Sequence, residues 1–427
     1  MNADWQEQQL GSIVTFKTGK LDSNAAEESG AFPFFTCSPT TLSINSFGFD
    51  TEAVILAGNN ANGIFSTKYY SGKFNAYQRT YVIEPINYEM INCRFLYYLI
   101  SYKVGLLKEL AIGSATKFLT KGILNSIPVQ IPSKKEQDKV ATLLAGLDDR
   151  ITLLRETNST LEAIGETLFK SWFMDFDPVR EKIEGKKSVG LSAEIASIFP
   201  DKFYKDELGD IPQGWQVKKL SDICSIQKGC SYKGAGLSDN NGAYMFNLGC
   251  FNAPRTYAFE NIKRYTGEYK DRHTVEAGDL ILANTDMTQD RDILGRPLII
   301  PEGFTKAFIS HHVFKLDLSN QDKSLFRNFL FFSFKQSKFR ERAVGYATGT
   351  TVLALPKEVL EGFKLNIPPV IVLNKFNESA DVIFNSIQAN LQKIKTLSKL
   401  RDTLLPRLIS GQLRLPDAEE QIEAATV

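Results

Sequence analysis

The chain has 427 residues and a formal net charge of +1, with 43% hydrophobic and 23% charged residues. This length allows two or three domains with real hydrophobic cores, and the balanced charge argues against a globally basic nucleic-acid-binding surface. The five cysteines form no C-x-x-C motif, the first residues lack a signal-peptide pattern, and no long apolar run occurs. We therefore expect a soluble, reduced, cytoplasmic protein without membrane spans.

The first region, residues 1–133, has the features of a mixed α+β domain. Residues 54–65 and 75–85 alternate short apolar runs with Asn and Gly, which predicts strands joined by tight turns. Aromatic and aliphatic residues crowd one face of a predicted helix over Cys93–Gly105. Trp5, near the start of this region, is interpreted as a core residue, and so is Trp215 near the start of the second region.

Polar loops of this region carry side chains of the kinds that contact base edges in DNA. Asn and Gln can pair bidentately with adenine, and Arg and Lys with guanine. The candidate DNA-binding residues of the first region are Asn59, Asn60, Asn62, Gln78, Arg79 and Lys117. Each of them could equally be a solvated turn residue, so the residue types leave both interpretations open.

A long amphipathic helix is predicted over residues 134–177. Leucines recur there every seven residues, with further apolar residues at alternating three- and four-residue steps: Leu144, Leu147, Ile151, Leu154, Leu161 and Leu168. This pattern is typical of a coiled-coil helix sustained over about four heptads. Residues 178–204 begin with a charged stretch and are interpreted as a linker with one short helix around Ala193–Phe199.

The region 205–368 repeats the first region in a diverged form. Its entry residues Trp215, Gln216, Leu220 and Ile223 reproduce Trp5, Gln6, Leu10 and Ile13 at a distance of 210 residues. Its exit residues recur at a distance of 236: Gly113, Leu119, Lys121, Leu124, Ile131 and Pro132 match Gly349, Leu355, Lys357, Leu360, Ile367 and Pro368. The change from 210 to 236 indicates a duplicated unit whose second copy carries 26 extra residues.

The second region is the more basic of the two. Trp215–Pro368 contains 21 Lys and Arg against 16 Asp and Glu, a net of +5, whereas Trp5–Pro132 contains 10 against 9. Residues 277–286 predict strands, and Lys323–Gln336 predicts a helix. The candidate DNA-binding residues of this region are Lys228, Tyr232, Lys233, Asn284, Arg291 and Arg296.

Catalytic motifs are absent from the sequence. Neither a G-x-x-x-x-G-K-[ST] phosphate loop nor a G-x-G-x-x-G opening a helix occurs. The string 366–369, Asn-Ile-Pro-Pro, superficially resembles the loop that holds a base for amino methylation, but Ile367 interrupts it. Asp177, Glu184 and Lys186 mimic the acidic and lysine residues of a nuclease, yet they lie in the charged linker. We therefore predict no catalytic residue.

Histidines and cysteines of the second region suggest zinc only superficially. The spacing of His273, His311 and His312 with the cysteines matches no usual zinc template. The adjacent His311 and His312 are expected to point apart on a strand. We predict that this chain binds no metal.

A second long helix is predicted over residues 369–416, followed by a C-terminal tail, 417–427. Its apolar residues Ile383, Ile387, Leu397 and Leu404 lie 236 positions after apolar residues of the first helix, and Ile394 lies 236 positions after Asn158. Two helices with one pattern are expected to be mutual partners, packed antiparallel.

Two asparagines interrupt the apolar pattern and suggest the register of this pairing. A register in which paired residue numbers sum to 548 sets Asn158 opposite Asn390 and Gly165 opposite Ile383. It also sets Leu147 opposite Arg401, whose stem can lie along the leucine while its charge reaches water. A buried Asn pair is a known device for fixing register; the alternative is that both asparagines are exposed.

Several strings of the chain resemble the specificity subunit of type I restriction–modification enzymes. They are the helix ends LEAIGETLFKSWFMDFDPV (161–179) and LSKLRDTLLPRLISGQLRLP (397–416), the entry IPQGWQVKKLSDI (211–223), and the exits at 113–132 and 349–368. The resemblance covers the whole chain. It implies two α+β target recognition domains joined by two long helices in an antiparallel coiled coil, related by a pseudo-two-fold axis.

The resemblance also implies the function and the partners. Each domain would bind one half of a split, asymmetric target in double-stranded DNA, while the helices set the gap and dock two methyltransferase subunits. Restriction and translocation subunits would complete the complex, and S-adenosylmethionine, ATP and Mg would be bound by partner subunits, with no cofactor on this chain. The candidate partner-binding residues, at the helix ends, are Trp172, Phe173, Leu408 and Ile409.

Two other functions are weighed against this one. A coiled-coil scaffold whose domains bind proteins would explain the helices but not the two divergent domains with Asn-, Arg- and Lys-bearing loops. A self-contained restriction or methylating enzyme is disfavoured because the cofactor motifs are missing.

Overall fold

The computed structural model describes residues 5–60, 63, 65–113, 116–186, 190–206, 209–251, 257, 259, 262–287, 291–318, 323–350 and 352–426. The chain forms two compact units. The first unit consists of Met1–Leu153 with Lys393–Val427, and the second of Leu154–Gln392. Within the described ranges, no helix is long and apolar enough to cross a membrane.

The elements of the first unit begin the chain. Its strands are β1 (Gln6–Gln9), β2 (Val14–Thr18), β3 (Phe32–Phe35), β4 (Leu42–Ile44), β5 (Phe49–Ala57), β6 (Asn59–Asn60), β7 (Thr67–Ala76), β8 (Thr80–Pro85), β9 (Lys117–Phe118) and β10 (Pro128–Ile131). Its helices are α1 (Leu10–Ile13), α2 (Cys93–Leu110), α3 (Lys121–Asn125) and the part of α4 (Lys134–Phe173) that precedes Leu154.

A six-stranded sheet with the order β2-β8-β5-β7-β3-β4 forms the body of this unit. The central strand β5 pairs antiparallel with β7 and β8, whereas β3 joins β7 in parallel. Ala53 and Ile55 of β5 are buried, and so are the alternating residues Val54 and Leu56. Because successive strand residues face opposite sides of a sheet, β5 is buried on both faces; α2 packs against β5 and β7.

Helix α2 confirms the helix predicted over Cys93–Gly105 and continues to Leu110. Asn92 caps it, since its side-chain oxygen accepts a hydrogen bond from the Phe95 amide at 2.8 Å. This bond satisfies one of the amide groups that the first turn of a helix leaves unpaired.

The elements of the second unit follow α4. Its strands are β11 (Phe203–Asp206), β12 (Gly209–Pro212), β13 (Gln216–Lys219), β14 (Ser225–Lys228), β15 (Leu237–Ser238), β16 (Ala243–Phe246), β17 (Lys263–Tyr265), β18 (Thr274–Val275), β19 (Leu280–Ala283), β20 (Thr285–Asp286), β21 (Pro297–Ile299), β22 (Ala307–Ile309), β23 (Val313–Asp317), β24 (Leu353–Ala354) and β25 (Lys364–Ile367). The helices that follow α4 are α5 (Asp177–Ile183), α6 (Ala193–Ser197), α7 (Lys323–Lys335), α8 (Ser337–Gly345), α9 (Lys357–Glu361) and α10 (Val370–Ile409). The end of α10, together with α11 (Leu415–Thr426), belongs to the first unit. Short 3₁₀ turns lie at Ser23–Ala25, Leu220–Asp222, Gly234–Gly236, Leu248–Cys250 and Asp271–His273.

Two sheets and an aromatic core organise the second unit. A four-stranded sheet has the order β14-β23-β19-β21, and a five-stranded sheet the order β15-β17-β16-β22-β18. A large core cluster joins α4, α7 and α10 through Phe169, Phe173, Phe329 and Phe376. Trp215, interpreted from the sequence as a core residue, is 2% exposed in this cluster, whereas Trp5 in the first unit is only half-buried.

The duplication predicted from the sequence is confirmed in the backbone pairing. Gln6 pairs with Ile131 between β1 and β10, and Gln216 pairs with Ile367 between β13 and β25. The amide of Leu10 donates to the Ile127 carbonyl at 2.8 Å, and that of Leu220 donates to the Phe363 carbonyl at the same distance. These pairs differ by the offsets 210 and 236 found in the sequence.

In the first unit, α4 and α10 meet through apolar residues and one ionic layer. Leu144 and Leu404 are completely buried. Arg401 donates to Asp148 at 2.8 Å, and the hydroxyl of Tyr98 on α2 donates to the other oxygen of Asp148 at 2.7 Å. From the sequence we expect the charged end of Arg401 to reach water. In the structure it binds Asp148 instead, and the same carboxylate accepts the hydrogen bond from Tyr98 of α2.

In the second unit, α4 and α10 meet through the asparagine pair. Asn390 Nδ2 donates to Asn158 Oδ1 at 2.8 Å, and Asn158 is only 6% exposed. Two α4 residues beyond Asn158 face α7. A Cβ on Gly165 would lie 2.3 Å from the Phe332 ring, and Glu162, 5% exposed, pairs with Lys335.

One expectation about the ends of the helices is wrong. Trp172 and Phe173 are 2% and 3% exposed, and Leu408 and Ile409 are 1% and 2% exposed, so these apolar side chains fill cores instead of presenting a partner-binding surface. The predicted linker 178–204 packs against the second unit because Val179 and Phe199 are apolar and buried. The predicted C-terminal tail is largely the helix α11, anchored by the buried Ala418.

Candidate nucleic-acid interface

In the first unit, one turn and one small ladder bring polar residues together. The turn 77–79 joins β7 to β8, and β6 pairs with β9 so that Asn59 faces Phe118 and Asn60 faces Lys117. Two backbone bonds connect turn and ladder: the Gly58 amide donates to the Arg79 carbonyl, and the Leu119 amide donates to the Gly58 carbonyl, both at 2.9 Å. The sequence-predicted residues Asn59, Asn60, Gln78, Arg79 and Lys117 therefore form one surface cluster, here called the first cluster.

Side-chain contacts hold the first cluster in place while leaving it open to solvent. The Arg79 guanidinium lies 5.9 Å from the centre of the exposed Phe118 ring. Gln78, which is exposed, donates to Asp22 at 3.4 Å. An exposed Arg and Gln beside two Asn provide the donors and acceptors that match base edges in the major groove. Asn62, also predicted to bind DNA, lies outside the described residues.

A partly buried lysine lies next to this cluster. Lys68 Nζ donates to the Ser38 carbonyl at 3.1 Å, and Cys37 Sγ donates to the Arg79 carbonyl at 3.3 Å. Burial lowers the pKa of Lys68 to about 8, against a smaller opposing effect of Cys37. An approaching phosphate would favour the charged form of this lysine.

The second unit contains a counterpart of the small ladder. Strand β20 pairs with β24 so that Thr285 faces Ala354 and Asp286 faces Leu353. In both units a left-handed glycine precedes the last ladder strand, with φ of 104° at Gly113 and 101° at Gly349. A side chain there would be strained, and its Cβ would meet a carbonyl oxygen at 2.1 and 2.2 Å respectively.

The turn beside this second ladder carries two histidines. His312 Nδ1 and Thr285 Oγ1 are 2.8 Å apart, and the rings of His311 and His312 lie 3.8 Å apart. The two residues belong to a turn and not to a strand, which is why the expectation that they point apart is wrong. Burial, and then the nearby Lys228, hold the pKa of His311 below its usual range.

The loop that follows β14 borders these histidines. The Tyr232 ring lies 5.9 Å from that of His311 and 6.1 Å from that of Tyr265, while Lys228 and Lys233 are exposed. The sequence-predicted residues Lys228, Tyr232 and Lys233 therefore lie on the same side of the unit as the histidine turn. We call the five residues Lys228, Tyr232, Lys233, His311 and His312 the second cluster.

Asn284 is not a base-contacting residue, contrary to the sequence prediction. It is 3% exposed, and its amide side chain donates to the His311 carbonyl at 3.2 Å. Its backbone amide donates to the His312 carbonyl at 3.0 Å. Asn284 thus stabilises the histidine turn through hydrogen bonds to its carbonyls. Gly58 has the equivalent position in the first unit, where its amide donates to the Arg79 carbonyl.

Arg291 and Arg296 are not part of the second cluster. They belong to the segment that precedes β21, which Arg340 of α8 contacts by a hydrogen bond. Asp286 accepts from the amides of Ile293 and Leu294 at 2.6 and 3.0 Å, and Arg340 donates to the Arg291 carbonyl at 2.9 Å. Arg291 is exposed, whereas Arg296 lines a cavity of about 270 Å³ with Arg340 and Lys335. Burial, and then the charge of Arg296, lower the pKa of Arg340.

Among the residues that the structure describes, no group of three or more His, Cys, Asp or Glu is arranged to hold a metal ion. Burial raises the pKa of the Cys224 and Cys250 thiols to about 12 in each case. These two cysteines are therefore protonated core residues at neutral pH.

The chain matches the family of type I restriction–modification DNA specificity domains twice, over residues 2–163 and 212–403. The chain belongs to this family. The two matched segments each contain one cluster and the greater part of one long helix, as the duplication predicts.

Individual relatives of the family are similar over different parts of the chain. The type I restriction enzyme EcoDI specificity subunit of Escherichia coli is 37% identical over 228 residues, which cover 52% of this chain and 49% of that protein. The match thus spans about half the length of that relative. The MjaIX specificity subunit of Methanocaldococcus jannaschii is 29% identical over 343 residues, covering 76% of this chain and 69% of that protein.

Among solved structures, the S subunit of a type I restriction–modification system from M. genitalium has a similar fold. It aligns with a TM-score of 0.55 at 14% identity, covering 96% of this chain and 97% of that chain. Specificity subunits are non-catalytic components of type I complexes.

The sequence interpretation missed the histidine turn of the specificity subunit. It considered His311 and His312 only as metal ligands. Their correspondence to Gln78 and Arg79 follows an offset of 233, which agrees with neither the entry offset of 210 nor the exit offset of 236. Insertions on both sides of the turn hide this correspondence until the backbone pairing is known.

Proposed function

We propose that this chain selects a bipartite, asymmetric target in double-stranded DNA, with one cluster contacting each half. The single observation that carries the proposal is the double ladder-and-turn arrangement. The same backbone frame occurs once in each unit, and it presents different side chains: Asn, Gln, Arg and Lys in the first cluster, and Lys, Tyr and His in the second. One frame with different polar side chains is suited to two different half-sites.

In this proposal the helices α4 and α10 are the spacer that sets the gap. Each is 40 residues long, about 60 Å at a rise of about 1.5 Å per residue. Each unit contains its own α4–α10 contact, Asp148–Arg401 in the first and Asn158–Asn390 in the second. Such polar layers favour one register of the helices.

Two methyltransferase subunits are the proposed partners on the helices, joined in the complete complex by restriction and translocation subunits. With Trp172 and Phe173 buried, the exposed apolar residues of the helices are better candidates for docking: Leu153 is 51%, Ile164 53% and Val382 65% exposed. S-adenosylmethionine, ATP and Mg would then be bound by the partner subunits, and the complex would act in the cytoplasm.

Selection from a randomised double-stranded DNA library tests the proposed function. The full chain, purified together with its methyltransferase subunits, would be mixed with the library at a stated salt concentration, because phosphate contacts depend strongly on salt. We expect enrichment of two constant half-sites separated by a gap of fixed length and free sequence. No enrichment would favour the scaffold function, and a single continuous site would contradict the bipartite arrangement.

A further inference from the structure

The turns 77–79 and 310–312 occupy the same place in their two units. Four backbone hydrogen bonds of 2.9–3.0 Å connect each turn to equivalent neighbours. In the first unit the amides of Tyr77, Gln78, Thr80 and Gly58 donate, in that order, to the carbonyls of Phe35, Leu21, Tyr77 and Arg79. In the second unit the amides of Ser310, His311, Val313 and Asn284 donate, in the same order, to the carbonyls of Phe246, Cys230, Ser310 and His312. By this correspondence His311 stands at the position of Gln78, and His312 at that of Arg79.

The neighbours of the two turns correspond as well. Both turns join strands of the same kind, β7 to β8 and β22 to β23. The first-unit turn is braced by Asp22, which accepts from Gln78 at 3.4 Å. The second-unit turn is braced from the equivalent loop by Tyr232, whose ring lies 5.9 Å from His311. Each turn is therefore contacted by a side chain from the equivalent loop, which follows β2 in the first unit and β14 in the second.

The chemistry of the two imidazoles is suited to base edges. Burial, and then Lys228 or the neighbouring histidine, hold the pKa of both rings below the usual range, so both are neutral at pH 7. A neutral imidazole carries one donor and one acceptor and has no charge with which to attract a phosphate. The contact with Thr285 engages Nδ1 of His312, so Nε2 is the nitrogen with which it would contact a ligand.

We propose that His311 and His312 determine the base sequence of the second half-site, as the counterparts of Gln78 and Arg79 in the first. This inference rests on the proposed function, since it requires the chain to bind a bipartite DNA target. It assigns the second cluster's specificity to two residues that lie between β22 and β23, with Lys228 and Lys233 as their basic surroundings.

The test uses the full chain with its methyltransferase subunits and the same randomised DNA library. His311→Ala and His312→Gln are compared with Gln78→Ala and Arg79→Ala. We expect the histidine variants to lose about 5- to 150-fold in discrimination at one or two positions of the second half-site, as the loss of a good base contact does. The Gln78 and Arg79 variants should change only the first half-site and serve as matched controls.

A second substitution guards against variants that fail to fold. His311→Gln places the first unit's residue in the second turn and keeps a donor and an acceptor; it should fold with wild-type thermal stability and alter the preferred base. If the wild type selects a bipartite target but the histidine variants keep the same base preferences, the inference is wrong and the proposed function stands. A uniform loss of affinity for all sequences would also overturn the inference, because it indicates phosphate contacts. If the wild type selects no target, both proposals fail.

Discussion

Two glycines of α4 differ in their surroundings and so provide a matched pair of substitutions. A Cβ at Gly146 would meet nothing within 4 Å, whereas one at Gly165 would lie 2.3 Å from the fully buried Phe332 ring. We expect Gly146→Ala to stabilise the protein by about 0.5–1 kcal/mol through helix propensity. Gly165→Ala should destabilise it, because overpacking costs about 1–3 kcal/mol and exceeds this gain.

Urea unfolding of the two alanine variants measures the difference. The midpoint should rise for Gly146→Ala and fall for Gly165→Ala relative to the wild type. Equal stabilisation by both substitutions would show that α7 does not pack against Gly165, and would contradict the described packing of α4.

A buried carboxylate of the second unit predicts a pH dependence of stability. Asp279 is 4% exposed and binds Lys315 at 2.8 Å and Lys323 at 2.7 Å. Burial alone would raise the pKa of Asp279, but the hydrogen bonds from the two lysines outweigh it and hold the pKa below its ordinary value. In acid the unfolded state therefore binds more protons, so this contribution is present above about pH 4 and is lost as the pH falls further.

The substitution Asp279→Asn tests this contribution. At pH 7 the variant should be less stable by about 1.5–3 kcal/mol, the usual contribution of hydrogen bonds to charged groups. Unfolding measured from pH 7 down to pH 3 should show the difference shrinking below about pH 4. A difference that stays constant over this range would rule out Asp279 as the titrating group.

At the level of residues, the sequence predicts chemical types better than exposure. Gln78, Arg79 and Lys228 are on the surface, as DNA contacts require. Asn284 has the right chemistry for contacting adenine, but its amide is used to support the neighbouring turn. A single sequence cannot distinguish these roles, because the partner atoms of Asn284 come from residues 27 and 28 positions away.

At the level of elements, the asparagine pair is expected to fix the register of the helices. Asn158→Leu leaves the half-buried Asn390 without its partner, and Asn390→Leu leaves the buried Asn158 without its own. Each single substitution should cost about 1–3 kcal/mol, whereas the double substitution should cost less than the sum. A double-mutant cycle by chemical unfolding gives the coupling; additive effects would mean that the bond contributes nothing to pairing.

A matched insertion tests the helices as a spacer. Seven residues added after Leu153 in α4 and after Gln392 in α10 lengthen each helix by about 10 Å, or about three base pairs. Both helices must change, because Asp148–Arg401 and Asn158–Asn390 lie on opposite sides of the insertion points. We expect unchanged half-sites with a wider gap in a DNA selection; an unchanged gap would contradict a spacer role. Insertion into α4 alone should instead destabilise the chain.

Periodicity predicts the long helices well and their detailed contacts less well. Leu144, Leu147, Ile151 and Leu154 are all buried, as the heptad pattern requires. Beyond Asn158 the buried positions become Glu162, Gly165 and Phe169, since α7 covers that face of α4. A heptad pattern describes two helices, and a third helix that packs on one of them changes which positions are buried.

At the level of the whole molecule, the duplication could be predicted from the sequence because the ends of the repeat kept their spacing. The entry and exit strands pair in both units at the offsets found in the sequence. The interiors could not be aligned in this way: the first unit has a six-stranded sheet, whereas the second divides its strands between sheets of four and five. The turns 77–79 and 310–312 lie 233 residues apart, so neither offset found in the sequence relates them. Their equivalence follows only from the backbone hydrogen bonds.

The exchange of one recognition region is the most direct test of an account in which each region determines one half of the target. Residues 1–133 would be replaced by the matching region of a family member with a different target, and the modified DNA of cells carrying the complete complex would be sequenced. One half of the target should change to that of the donor, while the other half and the gap stay as in the wild type. If both halves change together, or if neither half changes in an active complex, the two regions do not act on separate half-sites and the account is wrong.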